Sequence, residues 1–262
     1  MSKELTTAAN RREDIKNHIQ AVIGKEFPKE RFAKMALIAL SKNEKLAQAP
    51  WALLLLELVS CARMGLIPDG NEATITTFWN KKKGINQPQL MPMIQGLMKI
   101  AERSEKVKSI AAHLVYSNEV FWIKRDYEGM KFEHESCLTG DRGDCIGVYA
   151  VAYMRDAPTE IEFMNKDEVE VVRAKAISGA WGAFWGEMAK KTAMRRLIKR
   201  LPKTHHLDDA IEIDNKNFKD IEEVESSPVS EIPKIPQEPD GYKKKLQGAM
   251  DIPFEVEGEE NG

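Results

Sequence analysis

WGAFWGEMAKKTAMRRLIKRL, residues 181–201, is the stretch around which the rest of this chain is organised. On a helix with about 100° per residue, its second half separates into two faces. The apolar face holds Ala193, Met194, Leu197, Ile198 and Leu201. The opposite face holds a row of cations at i, i+4 spacing with two more beside it: Lys191, Arg195, Lys199 and Lys203, then Arg196 and Arg200. Lys190 falls among the apolar positions. The pattern predicts a helix that packs through one face and presents cations on the other.

The positive charge of this segment is nearly unopposed within the segment itself. Continued to residue 206, it carries seven Lys or Arg and one acid, Glu187. Like charges four residues apart on a helix repel by about 0.2–0.5 kcal/mol per pair. A row of cations without interleaved Glu is therefore better explained by a bound polyanion than by the stability of the helix. The alternative is a basic face exposed only to solvent.

The net charge of −2 hides a strong asymmetry along the chain. Residues 1–206 carry 33 bases and 25 acids, whereas residues 207–262 carry 6 bases and 16 acids. We therefore expect a basic core over residues 1–206 that binds nucleic acid, followed by an acidic tail over residues 207–262. From residue 220 the tail is also proline-punctuated, which predicts disorder. Its apolar cluster at residues 250–254, MDIPF, is either a docking motif or a chance grouping.

Cysteine usage and hydropathy predict a soluble, intracellular protein, and the cytoplasm is the expected location. The three cysteines Cys61, Cys137 and Cys145 are odd in number and form no CxxC motif, which argues against a disulfide framework. The longest apolar run, residues 51–59, is interrupted by Glu57 and is far shorter than the roughly 20 residues that span a bilayer. The first residues show no apolar signal sequence.

Hydrophobic periodicity predicts an α+β fold with antiparallel hairpins packed against helices. The expected helices cover residues 10–22, 28–41, 51–64, 96–103 and 166–176, besides the basic segment. The helix at 51–64 is apolar all round, which predicts a fully buried core helix, and Gly65 is its expected C-terminal cap. The expected strands cover residues 73–79, 90–94, 107–116, 120–124, 130–134, 145–154 and 160–164. Short connections between the strands favour antiparallel pairing.

A second basic window covers residues 73–101, where 29 consecutive residues include no acid. It contains Lys81, Lys82, Lys83 and Lys99, and Phe78 and Trp79 precede the lysine run. Lysines beside aromatic rings suit single-stranded nucleic acid, because the lysines neutralise phosphates and the rings stack on bases. The alternative is a hairpin with a solvated lysine tip. The two rings are expected in the core, with stacking as the alternative, so Trp79 remains a candidate DNA-binding residue.

Signatures of enzymes are missing from the sequence. The chain contains no GxxxxGK[ST], GxSxG, HExxH or paired CxxC motif. His205 and His206 are adjacent, which is a poor spacing for metal ligands, and Asp208 and Asp209 nearby are expected to be solvated. These observations predict a nucleic-acid-binding protein that is not an enzyme and uses no cofactor or metal. A metal-dependent nuclease, and a sequence-specific regulator or RNA-binding module, remain the alternative classes.

Residues 181–202 closely resemble the C-terminal block of the RecT family of phage single-strand annealing proteins. Residues 65–68 (GLIP), residues 71–73 (NEA) and residues 89–98 (QLMPMIQGLM) resemble the N-terminal block of the same family. Where the family commonly has tyrosine-arginine-glycine, this chain has Ile94, Gln95 and Gly96. Both blocks occur in order, and the resemblance covers roughly residues 28–205.

The resemblance implies an ATP-independent recombinase that coats single-stranded DNA, anneals it to a complementary strand and forms rings or helical filaments. It also implies a paired phage exonuclease, and a distant likeness to Red-beta with DNA in a basic groove.

One wall of that groove is assigned to Lys191, Arg195, Arg196, Lys199 and Arg200, and the other to Lys81, Lys82 and Lys83. Arg173 and Lys175 are secondary candidates, and Lys99, Lys190 and Trp79 complete the set. Replacing Arg195 with alanine is expected to weaken DNA binding without loss of the fold. The tail is expected to recruit a host single-strand-binding protein.

Overall fold

The computed structural model describes residues 2–20, 22–24, 27–80, 83–126, 129–176 and 179–224. The helices in chain order are α1 (Ser2–Gln20), α2 (Lys29–Lys42), α3 (Glu44–Ala47), α4 (Trp51–Arg63), α5 (Ile94–Glu102), α6 (Lys166–Ala174), α7 (Ala180–Ala183), α8 (Trp185–Ile198) and α9 (His205–Val224). The strands are β1 (Ala73–Asn80), β2 (Ile85–Pro92), β3 (Val107–Tyr116), β4 (Val120–Asp126), β5 (Gly129–Glu135), β6 (Cys145–Met154) and β7 (Glu160–Asn165). All the paired strands run antiparallel, which confirms the α+β prediction.

The central layer is a three-stranded sheet in the order β3-β6-β7. Successive side chains of a strand point to opposite faces, and β6 is apolar on both. Val148, Ala150 and Ala152 lie in the large core that contains the helices, whereas Tyr149 and Val151 face the β4–β5 hairpin. The sheet is therefore covered on one face by helices and on the other by a hairpin, which explains why nearly every residue in the middle of β6 is buried.

Helix α8 packs directly on the helix-facing side of this sheet, and α5 packs on α8. The small residues Ala189 and Ala193 are fully buried at that contact, so the helix approaches the strands closely. The same hydrophobic core includes side chains of α1, α2 and α4. The basic segment is thus the central helix of the fold.

The compact unit extends beyond residue 206, where the sequence placed the start of the tail. Helix α9 begins at His205, and its Leu207, Ala210 and Ile211 are buried in the same core as α8. The unit ends at Ile221. Acidic composition concealed this helix, because its buried apolar residues recur at helical spacing among acids, of which Asp208 and Glu212 are exposed. Residues 225–262, including the apolar cluster at 250–254, lie outside the described residues.

The β1–β2 hairpin is anchored at its root by two carboxylates. Glu57 of α4 accepts a hydrogen bond from the backbone N–H of Leu90 at 2.9 Å. Glu72 accepts a hydrogen bond from the backbone N–H of Ile67 at 3.0 Å. The same carboxylate forms an ion pair with Lys99 of α5. A Cβ atom on Gly96 would lie 2.0 Å from the carbonyl oxygen of Glu72, so only glycine permits this approach of α5 to the hairpin.

Most predicted elements are found within a few residues of their expected bounds, with three differences. Helix α1 begins at Ser2 rather than residue 10, because residues 2–9 contain neither Gly nor Pro and include good helix formers. Strand β2 begins at Ile85 rather than residue 90, since pairing with β1 extends it and an edge strand tolerates Pro88. Helix α4 is not buried all round, because Leu56 is exposed. Gly65 follows α4 with φ +68°, which confirms it as the cap.

Within the described part of the chain, no helix combines the length and the apolarity that crossing a membrane requires.

Candidate nucleic-acid interface

The two faces predicted for the basic segment are confirmed. Ala193, Leu197, Ile198 and Leu201 are buried against the sheet, and Met194 is partly buried beside them. The cations lie on the other side of α8, but they are not equally accessible. Two of them contact one buried carboxylate of the sheet, and two contact a buried carboxylate of α9. The net positive charge beside α8 is therefore the charge of its cations reduced by these two buried carboxylates.

Arg196 and Arg200 converge on Glu162 of β7. The Nε atom of Arg196 lies 3.1 Å from Oε1 of Glu162, and Nη1 of Arg200 donates to Oε2. The Glu162 side chain is only 9% exposed, whereas the two arginine side chains are 46% and 47% exposed. Nη1 of Arg196 also lies 4.0 Å from Oε1 of Glu168 on α6. Each arginine is thus held at its inner side and open to solvent on the other.

Arg195 and Lys199 form the second group, with Asp214 of α9. Nη1 of Arg195 lies 3.4 Å from Oδ1 of Asp214, and Nζ of Lys199 lies 3.3 Å from Oδ2. Arg195 also donates from Nη2 to the carbonyl oxygen of Pro92 at 3.4 Å. Both cations are more buried than Arg196 and Arg200. These contacts join α8 to α9 and to the root of the β1–β2 hairpin.

The sequence interpretation missed Glu162 and Asp214. The lack of interleaved Glu along the row of cations favoured a bound polyanion, yet two acids distant in sequence neutralise part of the positive charge. One signal was present for Glu162, because it shares one face of a predicted strand with the apolar Met164, and a charge on a buried face needs a partner. Asp214 had no such signal, since it was assigned to the acidic tail.

The remaining cations of the segment differ in their surroundings. Lys190 pairs with Glu187 one turn earlier, which accounts for a lysine at a partly buried position. Lys203 pairs with Asp208 at 3.0 Å, so Asp208 is not simply solvated. Lys191 is exposed and forms no ion pair among the residues whose side chains are described. Within the described residues, Lys191 is therefore an exposed cation of the i, i+4 row whose charge no carboxylate offsets.

Lys99 lies at a structural contact rather than on an open surface. Its Nζ pairs with Oε1 of Glu72, and both side chains are less than one-third exposed. The pair ties α5 to the start of the hairpin. The expectation that Lys99 contacts DNA directly is therefore not supported by its position, since a phosphate would have to displace Glu72.

The secondary candidates Arg173 and Lys175 lie at the end of α6. Nη1 of Arg173 is 3.1 Å from Oε2 of Glu170, a neighbour on the same exposed helix face. Glu170 also accepts a hydrogen bond from the indole N–H of Trp185 at 2.7 Å, which ties α6 to the start of α8. Lys175 is the C-cap residue of α6 and is exposed.

The β1–β2 hairpin presents its aromatic residues to solvent. Trp79 is 61% exposed, and Phe78 is also exposed, so the expectation of core positions was wrong for both. They lie at the end of β1, and the described residues leave both rings exposed. Lys83 is exposed at the same tip. Lys81 and Lys82 lie outside the described residues.

Two titratable groups near the hairpin root are shifted by burial. Burial raises the pKa of the Cys61 thiol, with Glu72 and Asp69 adding to the shift, so the thiol stays protonated. Burial also raises the pKa of Glu57, and the hydrogen bond from Leu90 opposes that shift. In the described residues, no group of three or more His, Cys, Asp or Glu side chains could hold a metal ion.

Comparison with known proteins identifies the family to which these features belong. The sequence model of the RecT family matches residues 30–229, which extend from the first turn of α2 past the end of α9. The chain belongs to the RecT family. Protein RecT of Escherichia coli strain K12 is 30% identical over 222 residues, which cover 81% of this chain and 81% of that protein. As a member of the RecT family, the chain is a single-strand annealing protein of DNA recombination.

Proposed function

We propose that this chain binds single-stranded DNA through the phosphate backbone and anneals it to a complementary strand without ATP. The observation that carries the proposal is the charge on the outer side of α8. Four cations there contact the buried carboxylates of Glu162 and Asp214 and the half-exposed Glu168, and Lys191 adds a fifth positive charge. The excess charge favours a polyanion, and phosphate contacts from Lys and Arg carry no sequence information.

Phosphate binding suits annealing for a physical reason. A protein that holds a strand by its phosphates leaves the base edges open to a second strand. Exposed aromatic rings, such as those of Phe78 and Trp79, add sequence-independent stacking on bases. We therefore assign Lys191, Arg196 and Arg200 to backbone contacts and the hairpin tip, with Lys81, Lys82 and Lys83, to a second contact region. Arg195 and Lys199 are assigned partial roles, because Asp214 engages both.

The proposal includes assembly along DNA. Several copies of the chain would line one strand in a ring or helical filament, with a phage exonuclease supplying the strand. The acidic segment that follows α9 would recruit a host single-strand-binding protein in the bacterial cytoplasm. Electron microscopy of the protein with one strand, and then with its complement added, would detect such assemblies.

The decisive experiment measures annealing of two complementary oligonucleotides, labelled with a donor and an acceptor dye, in the absence of nucleotide. We expect annealing faster than the spontaneous reaction, no dependence on sequence and no cleavage when Mg²⁺ is added. Cleaved strands would support the nuclease alternative. Strong preference for one sequence, or for RNA, would support the regulatory or RNA-binding alternative.

A charge variant connects the activity to α8. Lys191→Ala should weaken binding of single strands of every sequence and lower the slope of log K against log salt by about 0.7, the value for one phosphate contact on a single strand. Lys34→Ala, at an exposed position of α2, is the matched control and should leave the slope unchanged. Equal slopes for both variants would remove Lys191 from the interface.

A further inference from the structure

Arg196 and Arg200 are held side by side by a single carboxylate. They lie four residues apart on α8, and each contacts a different oxygen of Glu162. Two guanidinium groups at this separation repel each other, and the negative charge between them offsets that repulsion. The arrangement is fixed from the sheet, because Glu162 pairs with Ala150 of β6, whose side chain lies in the core that contains the helices.

The outer sides of the two guanidinium groups remain available to a ligand. An arginine has five N–H donors in a planar fork, and the contacts with Glu162 use one nitrogen of each residue. Both side chains are about half exposed, in contrast to the nearly buried carboxylate beneath them. An anion approaching from solvent therefore meets donors from two arginines whose orientation is already restricted.

We propose that Arg196 and Arg200 together bind one phosphate of the DNA backbone and that Glu162 is the positioning residue that aligns them. This inference rests on the proposed function. Charge supports a single phosphate: the two arginines and the buried Glu162 leave one positive charge, which one phosphodiester neutralises. The half-exposed Glu168 touches only Arg196, at 4.0 Å, and offsets this charge less than the buried acid does. Its two unesterified oxygens match two guanidinium donors, as in bidentate recognition of anions.

The neighbouring group on α9 does not offer the same site. Arg195 and Lys199 are more buried than the Glu162-linked pair, and Arg195 also donates to the carbonyl oxygen of Pro92. A phosphate there would compete with both Asp214 and the hairpin root.

A salt titration of single-strand binding tests whether one phosphate is shared. Arg196→Ala, Arg200→Ala and the double variant are compared with wild type. If one phosphate is shared, the double variant loses about 0.7 from the salt slope. Two separate phosphates would give a loss of about 1.4, and no phosphate would give no loss. Either of the latter results overturns the inference.

The positioning role is tested by Glu162→Gln, which removes a negative charge. Simple electrostatics predicts tighter binding of DNA, whereas loss of alignment predicts weaker binding, by about fivefold or more. Glu160→Gln is the matched control, because Glu160 lies two residues away on the same face of β7 and forms no ion pair among the described side chains. It should bind as tightly as wild type or more tightly.

Tighter or unchanged binding by Glu162→Gln overturns the positioning role. If Glu162→Gln does not fold, as judged by its thermal transition, the arginine series alone decides the inference. Failure of wild type to bind single-stranded DNA would instead overturn the proposed function, so the two failures are distinguishable.

Discussion

Oδ1 of Asp214 lies 3.4 Å from Nη1 of Arg195, and the Asp214 side chain is only 3% exposed. This ion pair connects α9 to the basic helix α8. Lys199 reaches the other oxygen of the same carboxylate, so one buried acid holds two cations that the sequence had assigned entirely to DNA. The contact makes α9 part of the packed body and gives Arg195 a structural role.

Arg195→Ala is expected to lower the free energy of unfolding by about 2 kcal/mol, because a nearly buried carboxylate loses one of its two cationic partners. Urea denaturation monitored by tryptophan fluorescence measures the change. Lys191→Ala, on the same helix but with no ion-pair partner among the described side chains, should change stability by less than about 0.5 kcal/mol. Equal stability of the two variants would show that the Arg195–Asp214 pair does not hold α9 in place, and would restore the simpler expectation that Arg195 acts only on DNA.

Trp79→Ala is expected to weaken binding of single-stranded DNA by about 1–3 kcal/mol while leaving stability nearly unchanged. The ring is mostly exposed, so its removal creates no cavity in the core. Fluorescence anisotropy of a labelled oligonucleotide measures affinity, and a thermal melt checks the fold. Trp122→Ala, at another exposed tryptophan on the β4–β5 hairpin, is the control. A comparable loss of affinity in both variants would argue against a specific role of the β1–β2 tip.

Gly96→Ala is expected to destabilise the protein by about 2–3 kcal/mol or to prevent folding, because the new methyl group would overlap the carbonyl oxygen of Glu72. The thermal transition reports the change. Gly182→Ala in α7 is the matched control, since a Cβ there meets no atom of the described residues within 4 Å. A normal melting temperature for Gly96→Ala would mean that α5 and the hairpin root can separate without loss of stability.

Glu119 is expected to make stability depend on pH in the acidic range. Its carboxylate is fully buried and accepts hydrogen bonds from Arg142 Nε at 2.7 Å and from the Tyr116 N–H at 3.0 Å, and it lies 3.1 Å from Nε2 of His134. Burial raises its pKa, but the contacts with His134, Arg142 and Tyr116 outweigh burial, so the pKa is lowered overall. The stabilisation is therefore fully present above the unfolded pKa of about 4.3 and is lost as pH falls through the lower folded pKa.

Urea denaturation of wild type and Glu119→Gln at several pH values tests this dependence. The difference in unfolding free energy should be largest at neutral pH and should shrink below about pH 4. Glu135→Gln, at an exposed position of β5, is the control. A difference that stays constant down to about pH 2 would show that the charge of Glu119 is not the source of the stabilisation.

Local patterns in the sequence determined most of the secondary structure and the two faces of α8. The helical spacing of Ala193, Leu197 and Ile198 and the continuous apolar run of β6 depend on residues only a few positions apart, so local sequence alone locates these buried residues. Composition likewise located the basic body, and the residues at 65–73, 89–98 and 181–202 indicated the family.

Tertiary structure decided which cations remain available to a ligand. The sequence predicted the same DNA-binding role for Lys99, Arg195 and Arg200. In the structure Lys99 pairs with Glu72, Arg195 pairs with Asp214, and Arg200 pairs with Glu162. These partners lie from 19 to 38 residues away along the chain. Electrostatic neutralisation depends on distance in space and on burial, which local spacing does not contain. The exposure of Trp79 has the same origin, because an aromatic strand residue is buried only where another element covers it.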